Sequence, residues 1–301
     1  MHLLMILAGL STAWWFRLNW REPTGTWTER WQRSLALFLL SPLLLLMTAI
    51  AVVCMGPHGR MVWKWEGWLC YELAIATLCL IGLCWLWLTW QGMRTQNHLQ
   101  RYTSVHIPLK TRNSEISSAS LPPHSPATDE SQVARLLDTS KLYSARVGFW
   151  NSELVVSQGL LDKLDPEHLE AVLLHEQAHV VYRDTFWFFW LGWLRRCTAW
   201  LPNTEALWQE LLLLRELRAD RWAAQHTEPL LVAESLLQVI SAPLLRPELC
   251  APFSSVTGQD RLTQRIEALL TEPTPITRSD RWFWIHLFWV LLPLVVVPFH
   301  S

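Results

Sequence analysis

Two histidines and a glutamate interrupt an otherwise apolar run in "AVLLHEQAHVVYRD", residues Ala171 to Asp184. His175 and His179 are four apart, so on a helix they share a face and their imidazoles can converge on one ion. Glu176 stands one step round, within reach of a water at that ion. This is the HExxH arrangement: two neutral nitrogen ligands for zinc with a carboxylate base beside them. Three polar, ionisable side chains in an apolar helix are costly to bury without partners.

A tetrahedral catalytic zinc needs a third protein ligand and an open position. A third histidine at position 185, after a glycine at 182, is one continuation. The chain has Tyr182 and Thr185 there. A carboxylate on a later helix is the other solution, and "LLLLRELRADRWAAQ" supplies one. Glu216 and Asp220 are four apart on one helical face, after the apolar run Leu211 to Leu214. Glu216 is the expected third ligand. Asp220 is expected to accept the second N–H of a ligand histidine and fix its tautomer. Taken alone, Glu216 and Asp220 also fit solvated helix charges paired with Arg215, Arg218 or Arg221. Together with the histidine motif, the pattern favours zinc.

The elements that must position these residues follow from patterning. Asp165-Pro166-Glu167 opens the helix that carries Ala171 to Val181, with Asp as N-cap and Pro as first helical residue. "ARVGFWNSELVVSQGLL", Ala145 to Leu161, reads as two short strands around a polar turn at Asn151-Ser152. Thr185 to Leu201 is crowded with Trp and Phe but interrupted by Arg195 and Arg196, so a half-buried or interfacial helix is expected. Further helices are expected from about Thr204 to Gln225 and from Gln259 to Leu270. Thr111 to Asp129 is rich in Ser, Thr and Pro and reads as a mobile linker or an ordered surface loop. It is also a candidate cleavage site.

Of the 301 residues about half are hydrophobic, 21 are Trp, and 25 basic residues nearly balance 26 acidic ones. No basic field points to nucleic acid as a partner. The apolar residues come in blocks: Leu3 to Phe16, Leu35 to Met55, Leu73 to Trp90 and Trp282 to Phe299. An 18-residue helix covers roughly 27 Å, close to the hydrocarbon core of a bilayer. Trp residues gather towards the block ends, as interfacial aromatics do. The first block lacks a basic n-region and a small-x-small cleavage site, so a retained span is expected rather than a signal peptide. Arg17, Arg21, Arg30 and Arg33 follow the first block, only Arg60 and Lys64 the second, and Arg94, Arg101, Lys110 and Arg112 the third. Arg278 and Arg281 precede the last. By the positive-inside rule the N-terminus lies outside and the region from about Gln91 to Arg281 lies in the cytoplasm. The six cysteines form no CxxC pair, so neither a thiolate zinc site nor a disulfide framework is indicated.

"DPEHLEAVLLHEQAHVVYRD", then "ELRADRWAA" and "RLTQRIEALL", resembles the BlaR/MecR-type membrane zinc metallopeptidases. It shares features with the HtpX-type membrane proteases and the CAAX-prenyl endopeptidases. Only 36 residues separate His179 from Glu216, too few for the two intervening spans of an HtpX-like protein. The resemblance implies a mainly α integral membrane protein with about four transmembrane helices and an inserted, zincin-like α+β cytoplasmic protease domain. Its expected division is three spans in 1–90 (about 1–17, 34–55 and 70–90), a partly mobile linker in 91–143, the protease domain in 144–280, and a last span in 281–301. His175, His179 and Glu216 are then zinc ligands, Glu176 the general base, and Asp220 the residue that orients a ligand. Asp184 is structural. Val147, Gly148, Phe149 and Trp150 form a strand that binds substrate backbone. Arg261 and Arg265 match an RxxxRI pattern, either as a helix face near the inner membrane surface or at the oxyanion, and His226 is a further oxyanion candidate. BlaR/MecR receptors continue after the last span into a penicillin-binding sensor. Here that span is followed by Ser301, so sensing is not carried over. The implied partners are a zinc ion, the lipid bilayer of the inner cell membrane, and a protein or peptide substrate such as a cytoplasmic repressor. The alternatives are an HtpX-like quality-control protease and a non-catalytic zinc-binding scaffold.

Overall fold

The computed structural model describes residues 2–21, 25–57, 64–108, 131–149, 152–241, 259–271, 288–295 and 297–299. The chain divides into two units: residues 1–91, 189–215 and 273–301, and residues 92–188 with 216–272.

The first unit is helical. It contains α1 (His2–Leu18), α2 (Trp27–Met55) and most of α3 (Lys64–Leu99). Helices α2 and α3 are long and apolar enough to cross a membrane. Their outer surfaces differ. Much of α2 is covered by neighbouring helices, whereas α3 leaves Trp65, Leu69, Leu73, Leu80, Leu83, Leu86 and Trp90 exposed along its length. Helix α1 packs on α2 through a close approach at Gly9, where an added Cβ would come within 2.9 Å of the Thr48 hydroxyl. Ser41 Oγ donates to the Ala13 carbonyl at 3.1 Å, and Arg17 Nη2 to the Phe38 carbonyl at 3.1 Å.

Two of the four expected spans are therefore helices of spanning length. The first expected span is α1, an apolar helix of 17 residues. Of Trp282 to Phe299, residues 282–287 and 296 lie outside the described residues. The rest winds as 3-10 turns at Trp289–Leu291 and Val297–Phe299 around a short helix at Leu292–Val295. Pro293 and Pro298 each lack the N–H that a continuous helix would use there.

The second unit is built on a four-stranded sheet in the order β1-β2-β4-β3. Its strands are β1 (Ser104–Pro108), β2 (Ser131–Leu137), β3 (Ser144–Val147) and β4 (Glu153–Ser157). The β1–β2 and β3–β4 pairs are antiparallel, and β2–β4 is parallel. The hairpin expected from Ala145 to Leu161 is present as β3 and β4. Strands β1 and β2 fall inside the 91–143 stretch that reads as linker from sequence. Their residues, "SVHIP" and "SQVARLL", mix polar and apolar types and flank the Ser/Pro-rich segment. Pairing of β1 with β2, and of β2 with β4, gives them a core to face. Thr111 to Asp129 lies outside the described residues.

Strand β4 is the buried centre. Leu154 and Val156 face one side with Ile107, Ala134, Leu160 and Leu173, while Val155 faces the other with Leu99, Leu137 and Val147. The first of these clusters includes Val172 and Leu173 from α5 (Pro166–Val181), so the sheet carries the histidine helix on one face. Between them α4 (Gln158–Lys163) is capped by Ser157, whose Oγ accepts from Leu160 N–H at 3.2 Å and from Tyr143 N–H at 3.0 Å. The unit is completed by the start of α6 (Asp184–Cys197), the end of α7 (Thr204–His226), α8 (Pro229–Ser241) and α9 (Gln259–Leu270).

Gly159, in the first turn of α4, is a packing requirement. An added Cβ would lie 2.4 Å from the Ser140 carbonyl carbon and oxygen, which are backbone atoms that cannot swing away. Gly159→Ala is therefore expected to destabilise the fold by about 1–3 kcal/mol through overpacking. Denaturant melts of the purified variant check this, and an unchanged midpoint would contradict the packing described.

Candidate functional site

Helix α5 begins as its sequence suggests, with Asp165 at the N-cap and Pro166 at the first helical position. The Asp165 side chain makes no capping bond. Its carbonyl accepts from Leu169 N–H at 2.9 Å instead. The helix buries Ala171, Val172, Leu173, Glu176 and Ala178. Ala171 packs with Ala223 of α7 and Val232 of α8. Small side chains at 171 and 223 meet in this cluster, and from α7 Glu216 and Asp220 reach the two histidines.

The imidazoles of His175 and His179 lie with ring centroids 5.0 Å apart and planes 88° from parallel. Each ring is held at Nδ1 by a buried carboxylate. His175 Nδ1 is 2.8 Å from Asp220 Oδ1, and His179 Nδ1 is 2.8 Å from Asp184 Oδ2. An ionised carboxylate only accepts, so Nδ1 carries a proton and Nε2 is the nitrogen left to hold a cation. Both Nε2 atoms then point towards one carboxylate. His175 Nε2 is 3.3 Å from Glu216 Oε2, and His179 Nε2 is 3.9 Å from Glu216 Oε1. The candidate ligand atoms of His175, His179 and Glu216 all lie within 4.8 Å of one another. Two imidazole nitrogens and one carboxylate oxygen, converging and oriented from behind, fit the ligand set of a catalytic zinc.

Each orienting carboxylate is in turn gripped by an arginine. Arg265 of α9 donates from Nε and Nη2 to the two Asp220 oxygens, both at 2.7 Å, and its Nη1 is 3.5 Å from Glu216 Oε2. Arg218 pairs with Asp184 and lies over the Tyr182 ring at 4.1 Å. Burial alone would raise the Asp220 pKa, but the Arg265 guanidinium outweighs it and holds the carboxyl below its ordinary range. Burial likewise disfavours charge on His175. Its bonds to Asp220 and Glu216 more than reverse this, raising its pKa from 6.5 to about 10. That proton answers the same negative field that a divalent cation would answer.

Glu176 is buried beside the cluster. Ser144 Oγ, at the start of β3, donates to Glu176 Oε1 at 2.8 Å. Arg146, two residues on and therefore on the same side of the strand, donates from Nη2 to Gln177 Oε1 at 3.2 Å.

Sequence reasoning singled out neither Ser144 nor the orienting contact of Asp184, and it offered Arg218 as a partner for Glu216 or Asp220 rather than for Asp184. Asp184 reaches His179 because Arg183 adopts a left-handed φ of 52° at the end of α5 and turns the chain back. The edge strand lies three residues earlier than the Val147 to Trp150 stretch. Val147 is its last residue and is buried. Gly148, at φ 138°, breaks the extended run, and the Phe149 ring lies 5.5 Å from Phe186. Trp150 lies outside the described residues. Arg265 is committed to Asp220 and Glu216 rather than to a membrane-facing surface, while Arg261 sits one turn earlier on α9. His226 is exposed at the end of α7, its Nδ1 2.7 Å from the Trp222 carbonyl.

Two outcomes follow. Asp184→Asn keeps the shape but loses the charge behind His179, and is expected to weaken zinc binding by roughly 10–100-fold in competition with a chelator. Zinc must also displace the His175 proton, so apparent affinity should climb as pH rises towards about 10, with proton release on binding. In the metal-free protein the sign is opposite. The raised pKa contributes stability that is complete below pH 6.5 and is lost as pH rises through about 10. A zinc affinity flat across that window would count against this description.

No curated protein matches the chain. Residues 124–211 match the model of Peptidase family M48, a metallopeptidase family; this segment contains His175, Glu176 and His179, and Glu216 follows five residues beyond it.

Proposed function

We propose that this chain is a membrane-embedded, zinc-dependent endopeptidase whose centre is His175, His179 and Glu216 with Glu176 as general base. The convergence of those three ligand atoms, with a buried glutamate alongside, carries the reading. The M48 match over the histidine motif supports peptide hydrolysis.

A zinc ion bound there supplies Lewis acidity towards a water and a peptide carbonyl. The chain's own residues do the rest. Ser144 occupies Glu176 Oε1, which leaves Oε2 to take the proton from the attacking water. Glu176 then passes that proton to the leaving amine. Asp220 and Asp184 keep the two Nδ1 protons in place, so neither ring can turn or change tautomer. Strand β3 stands at the edge of its sheet and is suited to pair with extended substrate backbone. Ser144 on that strand links the substrate edge to the base.

Helices α2 and α3, the exposed apolar length of α3, and the arginine bias of the short loops support a multi-pass inner-membrane protein with its protease domain in the cytoplasm. The short stretch between the ligands, which holds α6 of only 14 residues, favours a BlaR/MecR-like arrangement over an HtpX-like one. Substrates are then cytoplasmic or membrane-proximal proteins. A repressor and the Thr111 to Asp129 segment of this chain are the first two to examine.

Glu176→Gln is expected to retain zinc and lose cleavage of a casein or peptide substrate by at least ~10²–10⁴-fold. His175→Ala is expected to lose the metal itself, read by elemental analysis of the purified protein. Full activity in Glu176→Gln would remove the base from this mechanism. A zinc-loaded wild type without any peptidase activity would favour a scaffold.

A further inference from the structure

Beside the base, α5 and α8 enclose a cavity of about 170 Å³. Its two ends differ in chemistry. Ser144, His175, Glu176, Glu216 and Arg265 form one end, where the peptide bond would react. The other end is apolar. Val232, Leu236 and Val239 project from one face of α8 at helical spacing, Val172 lines the cavity from α5, and the exposed Ile240 lines it from the end of α8.

We infer that this cavity is the specificity pocket of the enzyme, receiving one apolar side chain from a substrate residue next to the cleaved bond, and that Leu236 sets its size. The inference rests on the peptidase reading above. Its volume is below the roughly 300–1,000 Å³ of small-molecule sites and suits a single side chain. Among the described residues, the apolar end offers a charged side chain no partner. The Ser235 hydroxyl, the polar group of α8 on this wall, donates to the Leu231 carbonyl at 2.7 Å. At the polar end, Arg265 is paired in fork fashion with Asp220. A charged side chain entering here would lose its water without compensation. A branched aliphatic or aromatic one gains from every methylene it buries. Val232 and Val239 also pack into the clusters beneath α8, whereas Leu236 lies between them on the cavity wall. Leu236 is thus the wall position whose size can change with least disturbance to the packing below.

The test uses the full-length, zinc-loaded protein in detergent and a peptide library with cleavage sites read by mass spectrometry. Matched peptides differing only as Ala, Leu, Phe or Asp at the selected position then give kcat/KM ratios. Wild type is expected to prefer Leu or Phe over Asp on one side of the cut by roughly 10–200-fold. Leu236→Trp fills the cavity and should shift the preference towards Ala. Leu236→Ala enlarges it and should shift it towards Phe. Zinc content verifies that each variant is folded, and Ile240→Trp narrows the cavity from the end of α8 should Leu236→Trp fail that check. Active wild type with no apolar preference, or a profile unmoved in every zinc-loaded variant, overturns the pocket and leaves the peptidase intact. Absence of Glu176-dependent cleavage in the wild type overturns both.

Discussion

Everything at this site depends on two aspartates holding two imidazoles from behind. An isolated histidine pair on a helix can rotate, change tautomer or take up protons. With Asp220 behind His175 and Asp184 behind His179, both at 2.8 Å, each ring has one available orientation and its remaining nitrogen faces Glu216. The aspartates are buried, and a buried carboxylate is costly without a partner. Arg265 and Arg218 meet that need. The centre is therefore a set of layered charges, in which each layer makes the burial of the next one tolerable.

The fold supports those layers by economical means. The sheet of the second unit fixes α5 through Val172 and Leu173, and its edge strand delivers Ser144 to Glu176. Ala171 of α5 and Ala223 of α7 share one buried cluster with Val232 of α8. Helix α9 brings Arg265, and α8 closes one side of the reactive groups with an apolar wall. In the first unit the same apolar chemistry is turned outward. Along α3, large aliphatic and indole side chains face away from the protein, a surface that water would penalise and lipid would not.

Much of the centre was legible in the residues. The four-residue spacings of His175/His179 and Glu216/Asp220 report shared helix faces directly, and the N-cap at Asp165 with Pro166 marks where the first helix begins. Other parts were not legible, for physical reasons. Asp184 reaches its histidine only through the left-handed turn at Arg183, a conformation that an arginine does not advertise. Ser144 meets Glu176 across a strand-to-helix contact between residues 32 apart, with no local signature. Strands β1 and β2 have little amphipathic pattern of their own, because one pairs with the other and only β2 meets the buried centre strand. Helix α8 was missed beside the stronger signals around it, although its apolar face is regular.

The order of these parts along the chain has a consequence for synthesis. The histidines are made first, Asp220 later, and Arg265 some ninety residues after His175. Until Arg265 emerges, Asp220 has no guanidinium to keep it charged in the interior. Arg265 follows Asp220 by 45 residues, so at ribosomal speeds of ~5–20 residues per second the aspartate waits about 2–9 s for its partner. The charges behind His175 are therefore balanced only when the last helix of the unit docks.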